Sequence, residues 1–498
     1  MLKRNHIFFL FFSAALLSAA ISFLVTDRYM PIEPDAANSP LVWREFASNG
    51  FSAFSDWIPT PDNWYFTVYP VNFLVFMISG RDGVTELAIS TSLFIAITAI
   101  ICSVIAYIET KSSYSFLFSV IASALPYYSL TYGFAAHPFS HYSTNAFGLI
   151  GVLFFILSCR HGYNIPMVIL SCLIFILTSL SDPWCQAAFF MPSLLTSIYC
   201  NLKDKEGYIN TIILAIGLAI SMSHILTRYL GLPYIDFKII DPSMWIENAK
   251  WVVLCIGRSM NIFFIEASYA YLASFLIWCI AFMYSVYNLV IIKRISINIC
   301  ILSFLSISAI ITSFVVSYIG ASDISARFFM NVYILCLLIV FINAIESRSV
   351  ALFFLIALFS INSAFSYSKH KNSLHNETHE TVKYMQFLNE NSLKCGYGEY
   401  WKYSNNVNWL SNSEISIVPV RFNLNTYSLD FNRPRSQTMR SWKGLCDNEK
   451  RYFVSIPTPY MGASKEESRK LLNGIKQQLG SPSEELKYSR FTILVYEN

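Results

Sequence analysis

A series of long apolar runs, about eleven of them, fills the chain up to Tyr367 and then stops. They lie at 7–26, 85–108, 115–134, 146–159, 165–181, 186–200, 208–231, 269–292, 297–319, 328–345 and 349–366. Segments of roughly 20 apolar residues cross a bilayer as helices, because lipid offers backbone N–H and C=O groups no other partner. Composition agrees, with 55% of residues hydrophobic and only 13% charged. The runs therefore predict a polytopic α-helical membrane protein with about eleven transmembrane helices over 1–366 and a soluble domain over 367–498. The run 64–79 contains Pro70 and Asn72 and is short. It reads as an interfacial helix that dips toward the membrane.

Orientation follows from Lys and Arg in short connections, which stay on the cytoplasmic side. Lys3 and Arg4, Lys111, Arg160, Lys203 and Lys205, Lys293 and Arg294, and Arg348 fall in alternate connections. The intervening stretches 27–84, 135–145, 182–185, 232–268 and 320–327 are poorer in basic residues for their length and face outward. An odd number of spans then puts the tail outside as well. Lys3-Arg4 before the first apolar run resembles a signal peptide, but that run is longer than a signal core and no polar cleavage region follows Ala20. A retained first helix is the reading.

The tail reads as α/β. Residues 375–392 have a helical pattern, 415–422 and 452–456 look like strands, and Ser464 with Glu467 has the spacing of a capping box that opens a helix to about Leu479. Residues 490–496 alternate Phe491, Ile493 and Val495 as a last strand. Nine of the eleven cysteines fall in or beside apolar runs, where Cys acts as a small hydrophobe. Cys395 and Cys446 stand apart in the tail, and in an oxidising compartment they could pair. With its capping box, strands and possible bridge, the tail is expected to fold on its own. His375 and His379 are four apart, but a solvated helix face explains them better than a metal. Zinc spacing, nucleotide-binding loops and the hydrolase Ser motif are absent from the sequence. So is the basic stripe of a nucleic-acid binder, and no internal repeat points to an inverted-repeat transporter.

The candidate chemistry lies on the outward side. The loop 27–84 carries Arg28, Glu33, Asp35, Asp56, Asp62 and Asp82 together with Trp43, Trp57 and Trp64. Carboxylates can accept protons, and indoles can stack on sugar rings. Against this, tryptophans anchor membrane interfaces and acids solvate loops. Arg327, at the outer start of a span, suits a bidentate grip on phosphate. Its bland alternatives are snorkelling or a pair with Asp323. Ser181-Asp182-Pro183-Trp184 forms a short outward turn, and His137 and His141 flank another.

This layout resembles the GT-C superfamily of membrane glycosyltransferases, which use polyprenyl-phosphate-linked sugars. The resemblance lies in the inward N-terminus, the acidic first outer loop, the many spans and the outer C-terminal domain. Within that superfamily the chain looks similar to the serotype-converting O-antigen glucosyltransferases of enteric bacteria. The matching stretches are Asp62-Asn63-Trp64-Tyr65-Phe66, Ser181-Asp182-Pro183 and Gly396-Tyr397-Gly398-Glu399-Tyr400-Trp401. The resemblance implies an inner-membrane enzyme with a cytoplasmic N-terminus and a periplasmic tail. Its donor would be undecaprenyl-phosphate glucose, its acceptor a lipid-linked O-antigen, and it would need no metal or other cofactor. It also implies a catalytic acid in the first outer loop. Asp35 comes first, Asp62 second and Glu33 third, since Glu33 would point away from Asp35 in an extended segment. Arg327 and Arg28 are the candidates for the donor phosphate. Trp64, Asp182, Tyr400 and Trp401 are the candidates for other substrate contacts. Transfer of mannose or of an aminosugar is the alternative within enzymes. A flippase or polysaccharide transporter is the alternative outside them, and would place charges in mid-span.

Overall fold

The computed structural model describes residues 2–204, 206–370, 375–401, 403–433, 435–460 and 462–497. Most of them are helical, and they fall into two compact units. The first comprises Met1–Met30, Pro61–Val71 and Ala88–Lys371, and the second Pro31–Thr60, Asn72–Leu87 and Asn372–Asn498. The hydropathy boundary at 366 thus marks where apolar runs end, whereas the second compact unit also draws in two stretches of the first loop.

In the first unit, seven helices among the described residues are long and apolar enough to cross a membrane. They are His6–Tyr29, Val84–Thr110, His141–Arg160, Ser268–Ile292, Ile297–Ser317, Asp323–Ser347 and Val350–Lys369. The remaining four apolar runs form shorter or broken helices. The run 115–134 is interrupted between Leu117–Ser123 and Tyr127–Thr131, where Pro126 cannot continue the hydrogen-bond ladder. The run 208–231 stops at Met222 and resumes at Ile225, with His224 in the left-handed region between the two pieces. Ile165–Ser181 is a single helix of 17 residues. The run 186–200 opens as a π-turn over Gln186–Phe190 and continues as Met191–Asp204. Pro192 has no N–H for the carbonyl of Ala188, and the hydroxyl of Ser306 donates to that oxygen instead, at 2.5 Å. Asn331 Nδ2 in turn donates to Ser306 Oγ at 3.0 Å. The stretch 232–268, read as a loop, contains the helix Trp245–Ser259.

Small residues allow the helices His141–Arg160 and Ile165–Ser181 to pack closely. A Cβ on Gly151 would lie 2.5 Å from the Phe175 ring. Ser171 Oγ donates to Gly151 O at 2.8 Å across the same contact. Such close backbone approach is the usual basis of helix association in lipid.

The second unit contains the strands β1 (Cys395–Gly398), β2 (Ser416–Pro419), β3 (Arg421–Asn423), β4 (Ser428–Asp430), β5 (Arg451–Pro457), β6 (Glu484–Tyr488) and β7 (Phe491–Glu497). Five of them form one sheet in the order β2-β1-β5-β7-β6. The β2-β1-β5 part is parallel and the rest antiparallel. The expected strand 415–422 divides at Val420 into β2 of this sheet and β3 of a separate β3–β4 hairpin. Both sheet faces are covered. Tyr384 and Leu388 of the helix His375–Glu390 join Phe453, Ile493 and Val495 on one side. Leu471 and Ile475 of the helix Lys465–Leu479 join Val454, Leu494 and Tyr496 on the other. The capping box of Ser464 and Glu467 opens the second helix as its spacing predicts. Cys395 and Cys446 form a disulfide, with their Cα atoms 5.5 Å apart.

First-loop segments complete this unit. Trp57 bridges Met439, and Ile58 N donates to Thr438 O at 2.9 Å. Asp56 accepts from both the N–H and the hydroxyl of Ser441. Arg44 gives a forked pair to Asp82 at 2.5 and 3.2 Å and also donates to Trp409 O and Asn412 Oδ1.

Candidate active site

The two short motifs 62–66 and 181–184, which are about 120 residues apart in sequence, are tied together in the first unit. Trp64 sits in the left-handed region at φ 64°, and its carbonyl accepts from the N–H groups of Thr67, Val68 and Tyr69. That turn fixes the segment ahead of the helix Val68–Ser79. Asn63 Nδ2 donates to Leu180 O at 2.7 Å, and Phe66 N donates to Ser181 Oγ at 2.7 Å. The acid of each motif is thereby held at one place.

Asp182 is almost fully buried and fully engaged. Its Oδ2 lies 2.7 Å from His141 Nδ1 and accepts from Thr144 Oγ1 at 2.5 Å, while Oδ1 accepts from Trp184 N at 3.1 Å. An ionised carboxylate can only accept, so the His141 proton belongs on Nδ1. Burial opposes ionisation of Asp182. The neighbouring imidazole and the three hydrogen bonds outweigh it and hold the carboxyl below its ordinary range. The His141 ring is framed by Trp184, Phe328 and Trp64, at centroid distances of 5.4, 4.9 and 6.1 Å. Trp64 is only 4% exposed, so it serves as a wall of this site rather than as an open stacking platform.

Asp62 is half-buried and shifts the other way. Burial pushes its carboxyl up and the charge of Asp182 adds to that, while His141 and Arg327 offset part of the rise. Two acids with opposed proton affinities in one site can take different chemical roles. Arg327 stands in the same electrostatic environment. Its guanidinium lies over Phe134 and Phe328 at 5.4 and 4.9 Å. Asp323, its nearest acid in sequence, pairs with Arg258 at 3.0 Å instead. Among the described residues Arg327 forms no ion pair, and its Nε is buried without a partner.

Asp35 belongs to the second unit. Tyr400 Oη donates to Asp35 Oδ1 at 2.5 Å, and Asn38 lies within 3.4 Å of the same hydroxyl. Burial and the Asp35 charge push the Tyr400 phenol well above its ordinary value, so it stays a donor. Glu33 is half-buried in the same turn. Residues 33–37 form that turn, with Ala36 N donating to Glu33 O, so the extended geometry expected to separate Glu33 from Asp35 does not occur. Trp401 is 39% exposed and Arg435 lies 5.8 Å from its ring. Arg28 is exposed at the end of the first helix, over the Tyr29 ring.

Sequence reasoning missed Thr144, Asn38 and Arg435. Thr144 had a usable signal, because it lies three residues after His141 on one helix and so shares its face. The other two had none. Among the described residues no group of three or more His, Cys, Asp or Glu side chains is placed to hold a metal ion. No protein-family model and no curated protein matches this chain.

Proposed function

We propose that this chain is a membrane glycosyltransferase that draws its sugar from a polyprenyl phosphate on the outer side of the bacterial inner membrane. In its specific form the reading is transfer of glucose from undecaprenyl-phosphate glucose to a lipid-linked O-antigen. One observation carries it: Asp62, Asp182 and His141 are grouped with a guanidinium, Arg327, that forms no ion pair among the described residues and whose Nε is buried without a hydrogen bond. A guanidinium of this kind suits a phosphate, and a carboxylate of raised proton affinity suits a hydroxyl proton.

In this mechanism Asp62 takes the proton of an acceptor hydroxyl as that oxygen bonds to the anomeric carbon. The bond from that carbon to the phosphate oxygen breaks on the opposite face, so configuration inverts. The electron pair stays on the polyprenyl phosphate, whose charge Arg327 meets with its fork. Phosphate leaves without being protonated, so the acid that a glycosidase needs has no counterpart here. Asp182 remains ionised and positions His141. Its company with Arg327 favours Asp62 over Asp35 as the base, which reverses the order drawn from sequence spacing.

The test is transfer of labelled glucose from polyprenyl-phosphate glucose to a lipid-linked saccharide in membranes. Asp62→Asn should cost about 10²- to 10⁴-fold in rate at unchanged protein level. Asp35→Asn should stay within about tenfold of wild type. The opposite pattern returns the base to Asp35, and normal transfer by both variants sinks the reading.

A further inference from the structure

A cavity of about 460 Å³ lies wholly within the second unit, beside the disulfide. That volume falls in the range of about 300–1,000 Å³ typical of small-molecule sites. Its lining holds Arg433, Arg435, Arg440 and Lys443 against only two carboxylates, Asp430 and Asp447. The two carboxylates are fewer than the four cations, and one of them is taken by Arg433. Asp430 reaches Arg433 at 3.8 Å, and Asp447 accepts from Tyr397 Oη at 2.8 Å. Arg440 donates to a neutral carbonyl, that of Ser55. Among the described residues Arg435 and Lys443 have no ion pair, and Arg435 Nε is buried with no partner. Phe431 and Trp442 add aromatic surface to the same lining. The Arg435 guanidinium also lies 4.7 Å from the Tyr400 ring and 5.8 Å from Trp401, so the cationic lining is continuous with the exposed Trp401.

Guanidinium and ammonium groups in excess of carboxylates call for an anion, and flat rings beside them suit the apolar face of a pyranose. We infer that this cavity binds an acidic saccharide, with carboxylate or phosphate groups held by Arg435 and Lys443 and a sugar face against Trp442. Identifying that saccharide with the acceptor glycan rests on the transferase reading, but the binding itself does not.

The experiment is isothermal titration of the full-length, detergent-solubilised protein with three probes. They are a glucuronate-containing hyaluronan tetrasaccharide, neutral maltotetraose and inorganic phosphate. The acidic tetrasaccharide should bind, maltotetraose should bind at least tenfold more weakly, and phosphate alone should not match the tetrasaccharide. Lys443→Met and Arg435→Gln should each weaken tetrasaccharide binding tenfold or more. Lys443 is exposed, so its variant should unfold at the wild-type temperature and serve as the control for folding. Equal binding of maltotetraose would overturn the acidic preference. Phosphate as strong as the tetrasaccharide would overturn the saccharide assignment. Tetrasaccharide binding unchanged in both variants would remove the cavity from consideration. Asp62→Asn separates the two claims: it should abolish transfer and leave these titrations unchanged.

Discussion

Asp62 and Asp182 are the same residue type in one site, and the surroundings drive them in opposite directions. The native state raises the Asp62 carboxyl above 3.8. It therefore adds stability below the unfolded-state value, and that contribution is lost as pH rises through the folded value. Above its folded value the ionised Asp62 is a burden on the fold, so there Asp62→Asn should raise the unfolding temperature while removing activity. Asp182 lies below 3.8, and its contribution is present above the unfolded value and lost only as pH falls through the lower, folded one. Asp182→Asn should cost on the order of 2 kcal/mol, the worth of a lost charge-assisted hydrogen bond, read as a drop in thermal midpoint. As a base, Asp62 must be ionised. The acidic limb of the rate profile should then lie above the ordinary carboxylate range and disappear in Asp62→Asn. Arg327→Lys should retain more transfer than Arg327→Ala, because lysine keeps the charge and loses the fork. Equal activity of wild type and Arg327→Ala would take this residue out of the site. From sequence, both acids and Arg327 were visible as separate candidates. Their meeting was not, because it depends on Asn63 and Ser181, two ordinary polar residues whose partners lie more than 100 positions away.

At the scale of the element, hydropathy located the apolar segments and missed their interruptions. A window average passes over Pro126, Pro192 and His224 because each is one residue in about twenty. Each nevertheless stands where the structure breaks a run or widens it into a π-turn. The repair at Pro192 makes a testable claim. Ser306→Ala would leave the buried Ala188 carbonyl without its donor. A cost of about 1–3 kcal/mol is expected, measured by thermal unfolding in detergent. A shift under about 0.5 kcal/mol would mean that the π-turn needs no outside donor. In the tail, the strongly patterned helices and the strands β5 and β7 were legible. β1 was not, since its Cys-Gly-Tyr-Gly sequence carries little strand propensity. The reason for Gly396 is tertiary: a Cβ there would lie 2.6 Å from both the Phe453 ring and its carbonyl oxygen.

At the scale of the whole molecule, the second unit is discontinuous in the chain. Arg44 touches all three of its pieces. It pairs with Asp82 from the stretch Asn72–Leu87 and donates to Trp409 and Asn412 of the tail. Arg44→Met should destabilise this unit by about 2–3 kcal/mol. A tail of 367–498 expressed alone, expected from its sequence to fold by itself, should be less stable and more prone to aggregate than one supplied with residues 31–87. Equal stability would show that the loop only decorates the sheet. Orientation belongs to this scale as well. Reporter proteins joined after Gly207 and after His370 should report opposite sides of the membrane. The same side for both would contradict the pattern of basic connections.

The discontinuity also sets an order of events during synthesis. Trp57, Arg44 and Asp82 leave the ribosome early, but Met439, Trp409 and Asn412 follow only after the whole stretch Ala88–Lys371. At about 5–20 residues per second that delay is roughly 15–60 s. For that interval Trp57 lacks its backbone bridge to Met439, and Arg44, already able to pair with Asp82, lacks the carbonyl of Trp409 and the side chain of Asn412. A nascent chain halted before the tail is therefore an orphan with exposed docking edges, a natural client for holding chaperones and quality-control proteases.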